Sequence, residues 1–263
     1  MKSVLIIAHG SQEDRNGNAA AIQAERMENI LGTKVRYVFK NCSDEELGDA
    51  LSYLSEEDVE QIVVIPFFFA SGVFSEKMVP RKLGLGEGSR DGAITIGGRA
   101  VEVRIGTPFG NDPRMKDVIG QVLERESAQA GRTAVMLIGH GSKDGANSKA
   151  VEYNADIARG FGFDAFPCYN EMVEPTVEDA LRDILDRGYG DILAIPLFVS
   201  SSHHSVVEIP EKLGVEEGSR ERTFEFNGRD VSIRYSREIG LEPGIAEILC
   251  RMVDGERSPQ NML

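Results

Sequence analysis

The stretch QIVVIPFFFASGVFSEKMVPRKLGLGEGSR, residues 61–90, returns as DILAIPLFVSSSHHSVVEIPEKLGVEEGSR, residues 191–220, a shift of 191 − 61 = 130 positions. Each copy opens on an apolar run of strand type, crosses a loop, enters a helix-type segment and closes on Gly-Ser-Arg. The same shift carries GGRAVEVRI (97–105) onto NGRDVSIRY (227–235), and one of 140 − 9 = 131 carries AHGS onto GHGS. Two copies at so long a period mean domain duplication and not a solenoid. The join is expected near SAQAGRT, residues 127–133, where small and polar residues separate a helical pattern from a new apolar run. That divides the chain into halves at residues 1–129 and 130–263.

Within each half, strand and helix patterns alternate. TAVMLIG (133–139) is apolar throughout, as a strand buried on both faces must be. KAVEYNADIARGFG then places Val151, Ile157, Ala158 and Phe161 at helical spacing, and FDAFPCY reads as a second strand. EPTVEDALRDILDRG is a helix with Pro175 in its first turn, Gly188 at its end, and Val177, Leu181, Ile184 and Leu185 on one face. Leu47, Leu51 and Leu54 repeat that stripe in the first half. A third strand follows, then a hairpin turning on NGR or GGR, then a closing helix. Strands alternating with helices imply right-handed crossovers and a mostly parallel sheet. The expected class is therefore α/β: two tandem flavodoxin-like domains related by internal duplication, each a mostly parallel four-stranded sheet, order 2-1-3-4, flanked by helices. In such a sheet the crevice at the carboxyl ends of strands 1 and 3 is the default binding site.

Composition narrows the function. A formal net charge of −14 over 263 residues disfavours nucleic acid and anionic membrane surfaces as partners, since both demand a basic face. The apolar run in MKSVLIIAHGS is too short for a signal peptide or a membrane span, and it reads as the first strand of a cytoplasmic protein. Cys42, Cys168 and Cys250 are scattered without a C-x-x-C pair. That excludes a zinc ribbon and a disulfide framework and leaves buried, reduced thiols.

The chain has four histidines, His9, His140, His203 and His204. His140 ends strand 1 of the second half, His203 and His204 follow strand 3, and Glu171 and Glu174 leave strand 2 along the same edge. Two imidazoles and a carboxylate over one crevice can hold a divalent transition metal and accept protons. A plainer role competes for Glu174, because an acidic residue also favours a helix N-terminus electrostatically. Ser200, Ser201 and Ser202 could donate to an anionic ligand or simply form a turn. The halves differ at these places: Val73 and Phe74 stand opposite His203 and His204, and Asn41 and Asp44 opposite Glu171 and Glu174. The first half keeps His9 and an apolar loop. Phe68 and Phe69 belong to core packing, whereas Phe74 and Met78 lie beyond the strand and suit the face of a large flat ligand.

AHGS, GHGS, IPFFFASG…VPRKLG, IPLFVSSSHHSVVEIPEKLG, NEMVEPTVEDAL and VRIGTPFGNDPRM together resemble the class II tetrapyrrole chelatases of the CbiX type, over essentially the whole chain. The resemblance implies chelatase-like domains facing one cleft, where a metal ion enters sirohydrochlorin without ATP. It maps the family's histidines onto His140 and His204, as metal ligands and catalytic groups, with His9 at the equivalent place in the first half. The family's glutamate maps onto Glu174, or else Glu171. Substrate contacts are expected from His9, Ser11, Ser142, Phe74, Met78, Ser201, Ser202, His203 and Glu171. The partners implied are a sirohydrochlorin-type tetrapyrrole and Co2+, Ni2+ or Fe2+ as the substrate ion, with no further cofactor, in a monomer or homodimer. A non-catalytic metal or tetrapyrrole delivery protein would share these residues. A Ser–His hydrolase on Ser11 or Ser142 is disfavoured, because no G-x-S-x-G elbow is present.

Overall fold

The computed structural model describes residues 1–9, 18–55 and 59–255, which fold as two compact units. The first carries β1 (Lys2–Ala8), α1 (Ala19–Leu31), β2 (Val35–Phe39), α2 (Asp44–Leu54) and β3 (Gln61–Phe67). A π-helical turn, Phe74–Met78, then runs into α3 (Val79–Lys82), and a hairpin of β4 (Asp91–Ile96) and β5 (Arg99–Ile105) follows. The second unit opens on α4 (Met115–Arg125) and repeats the series: β6 (Thr133–Gly139), α5 (Ala146–Gly160), β7 (Asp164–Tyr169), α6 (Val177–Asp186) and β8 (Asp191–Pro196). The π-helical turn His204–Glu208, α7 (Ile209–Leu213), β9 (Glu221–Phe226) and β10 (Arg229–Tyr235) complete it.

Each sheet has five strands where four were expected, in the orders β2-β1-β3-β5-β4 and β7-β6-β8-β10-β9. Both arms of each hairpin join the sheet. The returning arm runs parallel beside β3 or β8, and the outgoing arm forms an antiparallel edge. Gly97 and Gly98, like Asn227 and Gly228, have positive φ at both turn positions, the conformation whose twist matches that of the flanking strands.

Burial explains the strand sequences. All seven residues of β6 are buried, so helices must cover both faces of the sheet. On one face of the second unit, Val177, Leu181, Ile184 and Leu185 of α6 pack into a cluster with Met136, Ile138 and Ile192. Leu47, Leu51 and Leu54 of α2 do the same with Leu5, Ile7 and Ile62 in the first unit. Both helices start with a capping box, Ser43 with Glu46 and Thr176 with Asp179, which satisfies N–H groups that have no partner within the helix. Pro175 therefore lies just before the Thr176 cap, in a cis peptide with Glu174, and not inside the first turn.

The closing helices do not stay with the strands of their own sequence half. α8 (Pro243–Asp254) belongs to the first unit and packs on α1, while α4 belongs to the second and packs on α5. Lys2 Nζ donates to Val253 O at 3.2 Å, and Arg104 Nη2 to Met252 O and Val253 O at 2.8 and 2.7 Å. Each unit thus takes its strands from one half, as divided at 129/130, and one helix from the other. Cys168 and Cys250 are buried and Cys42 is half-buried, all as free thiols. Among the described residues no helix is long and apolar enough to cross a membrane.

Candidate metal-binding site

β6 and β8 are parallel neighbours, with Ile138 in register with Pro196. The chain leaves β6 through Gly139, His140 and Gly141, and leaves β8 towards the π-helical turn that begins at His204. The two exits bring the imidazoles of His140 and His204 together, with ring centroids 4.9 Å apart and planes at 87°. The His140 ring also lies 6.3 Å from that of Phe198, so one side of the pair is apolar.

The triplet His140-Gly141-Ser142 has a separate job for each residue. Gly141 has φ +93°, and a Cβ there would come within 2.0 Å of the Glu171 carbonyl oxygen. Only glycine allows that approach, through which the Glu171 N–H donates to His140 O at 3.0 Å. The loop after β7 is thereby held against the loop after β6. Ser142 Oγ accepts from Asn147 N at 3.1 Å and donates to Asp144 Oδ1 at 2.7 Å, which shapes the entry to α5. Its hydroxyl is occupied by this turn.

Two carboxylates flank His204. Glu171 Oε1 lies 3.9 Å from His204 Nδ1, and Glu208 Oε2 lies 2.7 Å from the same nitrogen. Ligand atoms of Glu171, His204 and Glu208 all fall within 4.8 Å of one another, close enough to share one ion. The hydrogen bonds from His204 and, next, from Asn170 hold the Glu208 carboxyl down to about 2. Asn170 is itself buried and fixed: its Nδ2 donates to Glu208 Oε2 at 2.8 Å, and its Oδ1 accepts from Lys212 Nζ at 2.8 Å. Asn170 Nδ2 also lies 3.3 Å from His204 Nδ1, but the shorter 2.7 Å contact to the Glu208 carboxylate favours a proton on Nδ1, which leaves the Nε2 lone pair for a metal.

Sequence reasoning missed Glu208. Its signal was the four-residue spacing from His204, which puts the two on one face of a helical turn, but VVEIPEKLG reads first as an ordinary polar helix face. Glu174, exposed like Glu171, does not belong to the Glu171, His204 and Glu208 group. His203 is 71% exposed, its Nε2 3.7 Å from Glu208 Oε1. Ser202 braces the turn, its N–H donating to Ser205 Oγ at 3.0 Å, and Ser201 is half-buried beside it.

In the first unit the corresponding exits carry different chemistry. His9 Nε2 accepts from Lys40 Nζ at 2.6 Å, and the His9 ring meets Phe68 and Phe74 edge-on at 6.3 and 6.4 Å. Lys40 stands where the repeat has Asn170, Phe74 where it has His204, and Met78 where it has Glu208. Phe74 and Met78 are 39% and 44% exposed. Ser11 lies outside the described residues.

A family model described as CbiX matches residues 3–126 and again residues 134–256. A probable sirohydrochlorin cobaltochelatase of Halobacterium salinarum is 28% identical over 273 residues, covering 95% of this chain and 89% of that protein. The sirohydrochlorin cobaltochelatase of Methanopyrus kandleri is 29% identical over 130 residues, 44% of this chain and 91% of its own length. Among solved structures, SirB from Bacillus subtilis with Fe3+ superposes with a TM-score of 0.71 at 15% identity, over 99% of this chain and 96% of that one. CbiX described as the terminal enzyme for biosynthesis of siroheme in denitrifying bacteria gives 0.67 at 22%, over 97% and 100%. These two likenesses speak for the fold.

Proposed function

The chain belongs to the CbiX family, and we propose that it is a sirohydrochlorin chelatase whose metal chemistry is carried by its second unit. The observation that carries this reading is the His140–His204 pair at 4.9 Å with the Glu171 and Glu208 carboxylates beside it. Insertion must form bonds from the ion to the ring nitrogens, release two pyrrole protons and strip water from the ion. His140 and His204 would hold M2+ through neutral imidazole nitrogens and exchange it, ligand by ligand, to the macrocycle. We assign the proton acceptor to Glu171, which lies beside His204, in preference to Glu174, which is outside that group. Glu208 holds the His204 tautomer. Lys143, Ser201, Ser202 and His203 remain candidates for the substrate's carboxylates.

Cobalt is the ion we favour, on the names of both sequence relatives. Nickel and ferrous iron suit nitrogen and oxygen donors as well. A delivery protein that captures metal or tetrapyrrole without turnover is the rival reading. The test is Co2+ insertion into sirohydrochlorin at substoichiometric protein, followed by absorbance. Repeated turnover that falls at least about 100-fold in His140→Ala and His204→Ala is expected. Stoichiometric capture by the unmodified chain, or full turnover by either variant, would defeat the proposal.

A further inference from the structure

We propose that the first unit holds a second, metal-free ligand pocket, built for the carboxylate of a flat conjugated ring. It sits where the second unit has its histidine and carboxylates, and it has a volume of about 220 Å³. Phe74 and Met78 form an apolar face, and Lys40, Arg81 and Lys82 border it.

Three observations support that assignment. First, the replacements remove every metal ligand except His9, and the Lys40 ammonium fills the coordination position of His9 Nε2 at 2.6 Å. A fixed cation there repels M2+ and attracts an anion. Secondly, among the described residues no carboxylate pairs with Lys40 or Arg81, in a chain whose net charge is −14. Burial lowers the Lys40 pKa; a ligand carboxylate would supply a counter-ion. Lys82 is held in place by donating to Cys42 O at 2.7 Å.

Thirdly, the apolar side chains are exposed in a manner suited to stacking. Lys40 Nζ lies 4.3 Å from the centre of the Phe74 ring, and the Phe68 and Phe74 rings stack at 6.3 Å. The aromatic face is therefore fixed in orientation before any ligand arrives. An aromatic ring and a thioether favour a conjugated planar partner, while the ammonium beside them selects a ring that bears a carboxylate. Taking that ring to be the tetrapyrrole substrate rests on the chelatase reading; the anion pocket itself does not.

Free-base uroporphyrin, a planar polycarboxylate, is the probe. Titrated into the full chain without metal and followed by fluorescence, it should bind saturably. Lys40→Met combined with Arg81→Gln should weaken binding at least tenfold, and Phe74→Leu, which stays apolar but removes the ring, severalfold. Co2+ binding by the Lys40→Met/Arg81→Gln chain should match that of the unmodified chain, which shows the variant is folded. Unchanged porphyrin affinity in the double variant would overturn the pocket. Failure of the chelatase reading shows elsewhere, as metal insertion that survives His204→Ala.

Discussion

The crevice beyond β1 and β3 and the crevice beyond β6 and β8 share a backbone and differ in chemistry. Both third strands run on to a π-helical turn, Phe74–Met78 or His204–Glu208. Both turns bury a serine, Ser75 or Ser205, and both lead into a buried aliphatic–proline pair, Val79-Pro80 or Ile209-Pro210. Packing thus preserves the turn in each unit. The other face of that turn carries His204 and Glu208 in one unit and Phe74 and Met78 in the other, where packing does not dictate identity. The core keeps the fold alike while the exposed ends of the strands are free to take separate tasks.

The largest expected effect tests whether only one crevice binds metal. Calorimetric titration with Co2+ should give one ion per chain, and His204→Ala should reduce that affinity by about 100-fold or more, since on the proposed reading it removes a ligand. Phe74→His should not create a second ion, because Lys40 still occupies His9 Nε2 and Met78 supplies no carboxylate. Two ions in the unmodified chain, or a second in Phe74→His, would break the comparison.

A tenfold effect is expected one residue further from the ion. Glu208→Gln keeps a hydrogen-bond acceptor for His204 Nδ1–H but loses the charge, and such supporting partners are worth roughly 10–100-fold in metal affinity. Co2+ affinity should fall by about tenfold while Met78→Leu, the matching change in the first unit, leaves it untouched. Equal losses from the two substitutions would mean that the effect reports general destabilisation and not tuning of His204.

Much of the architecture was legible in the sequence because buried strands betray themselves. β6 is buried along its whole length and its sequence TAVMLIG is apolar throughout. The strand missed in each half is the outer arm of the hairpin, where exposed and half-buried residues alternate; an edge strand leaves a weak hydrophobic record. The exchange of α4 and α8 was not legible either. Both helices have an apolar face, Val118, Ile119 and Val122 in one and Ile245, Ile248 and Leu249 in the other, but an apolar face says only that a helix is covered and not by which sheet. At the site, neighbouring strands brought His140 and His204 together. Glu208 escaped notice because its role depends on which way one imidazole turns.

The smallest effect sharpens what Glu208 contributes as a charge. Hydrogen bonds from His204, then Asn170, hold its carboxyl at about 2, against an ordinary value of 4.5. Folding lowers this pKa, so the ionised group stabilises the folded chain fully above pH 4.5, and that stabilisation is lost as pH falls towards 2. The His204 Nδ1–H donates to the carboxylate whether the ring carries one proton or two, so the sign does not depend on the imidazole's own state. With the Glu208 side chain 29% exposed, solvent screening keeps the contribution modest. The gap in urea midpoint between the unmodified chain and Glu208→Gln should therefore be steady near neutrality and narrow through the acid range. The corresponding gap for Met78→Leu should show no such titration, since neither side chain ionises. A gap that widens on acidification would mean that folding disfavours the charged carboxylate, and Glu208 could not then be the group that fixes His204.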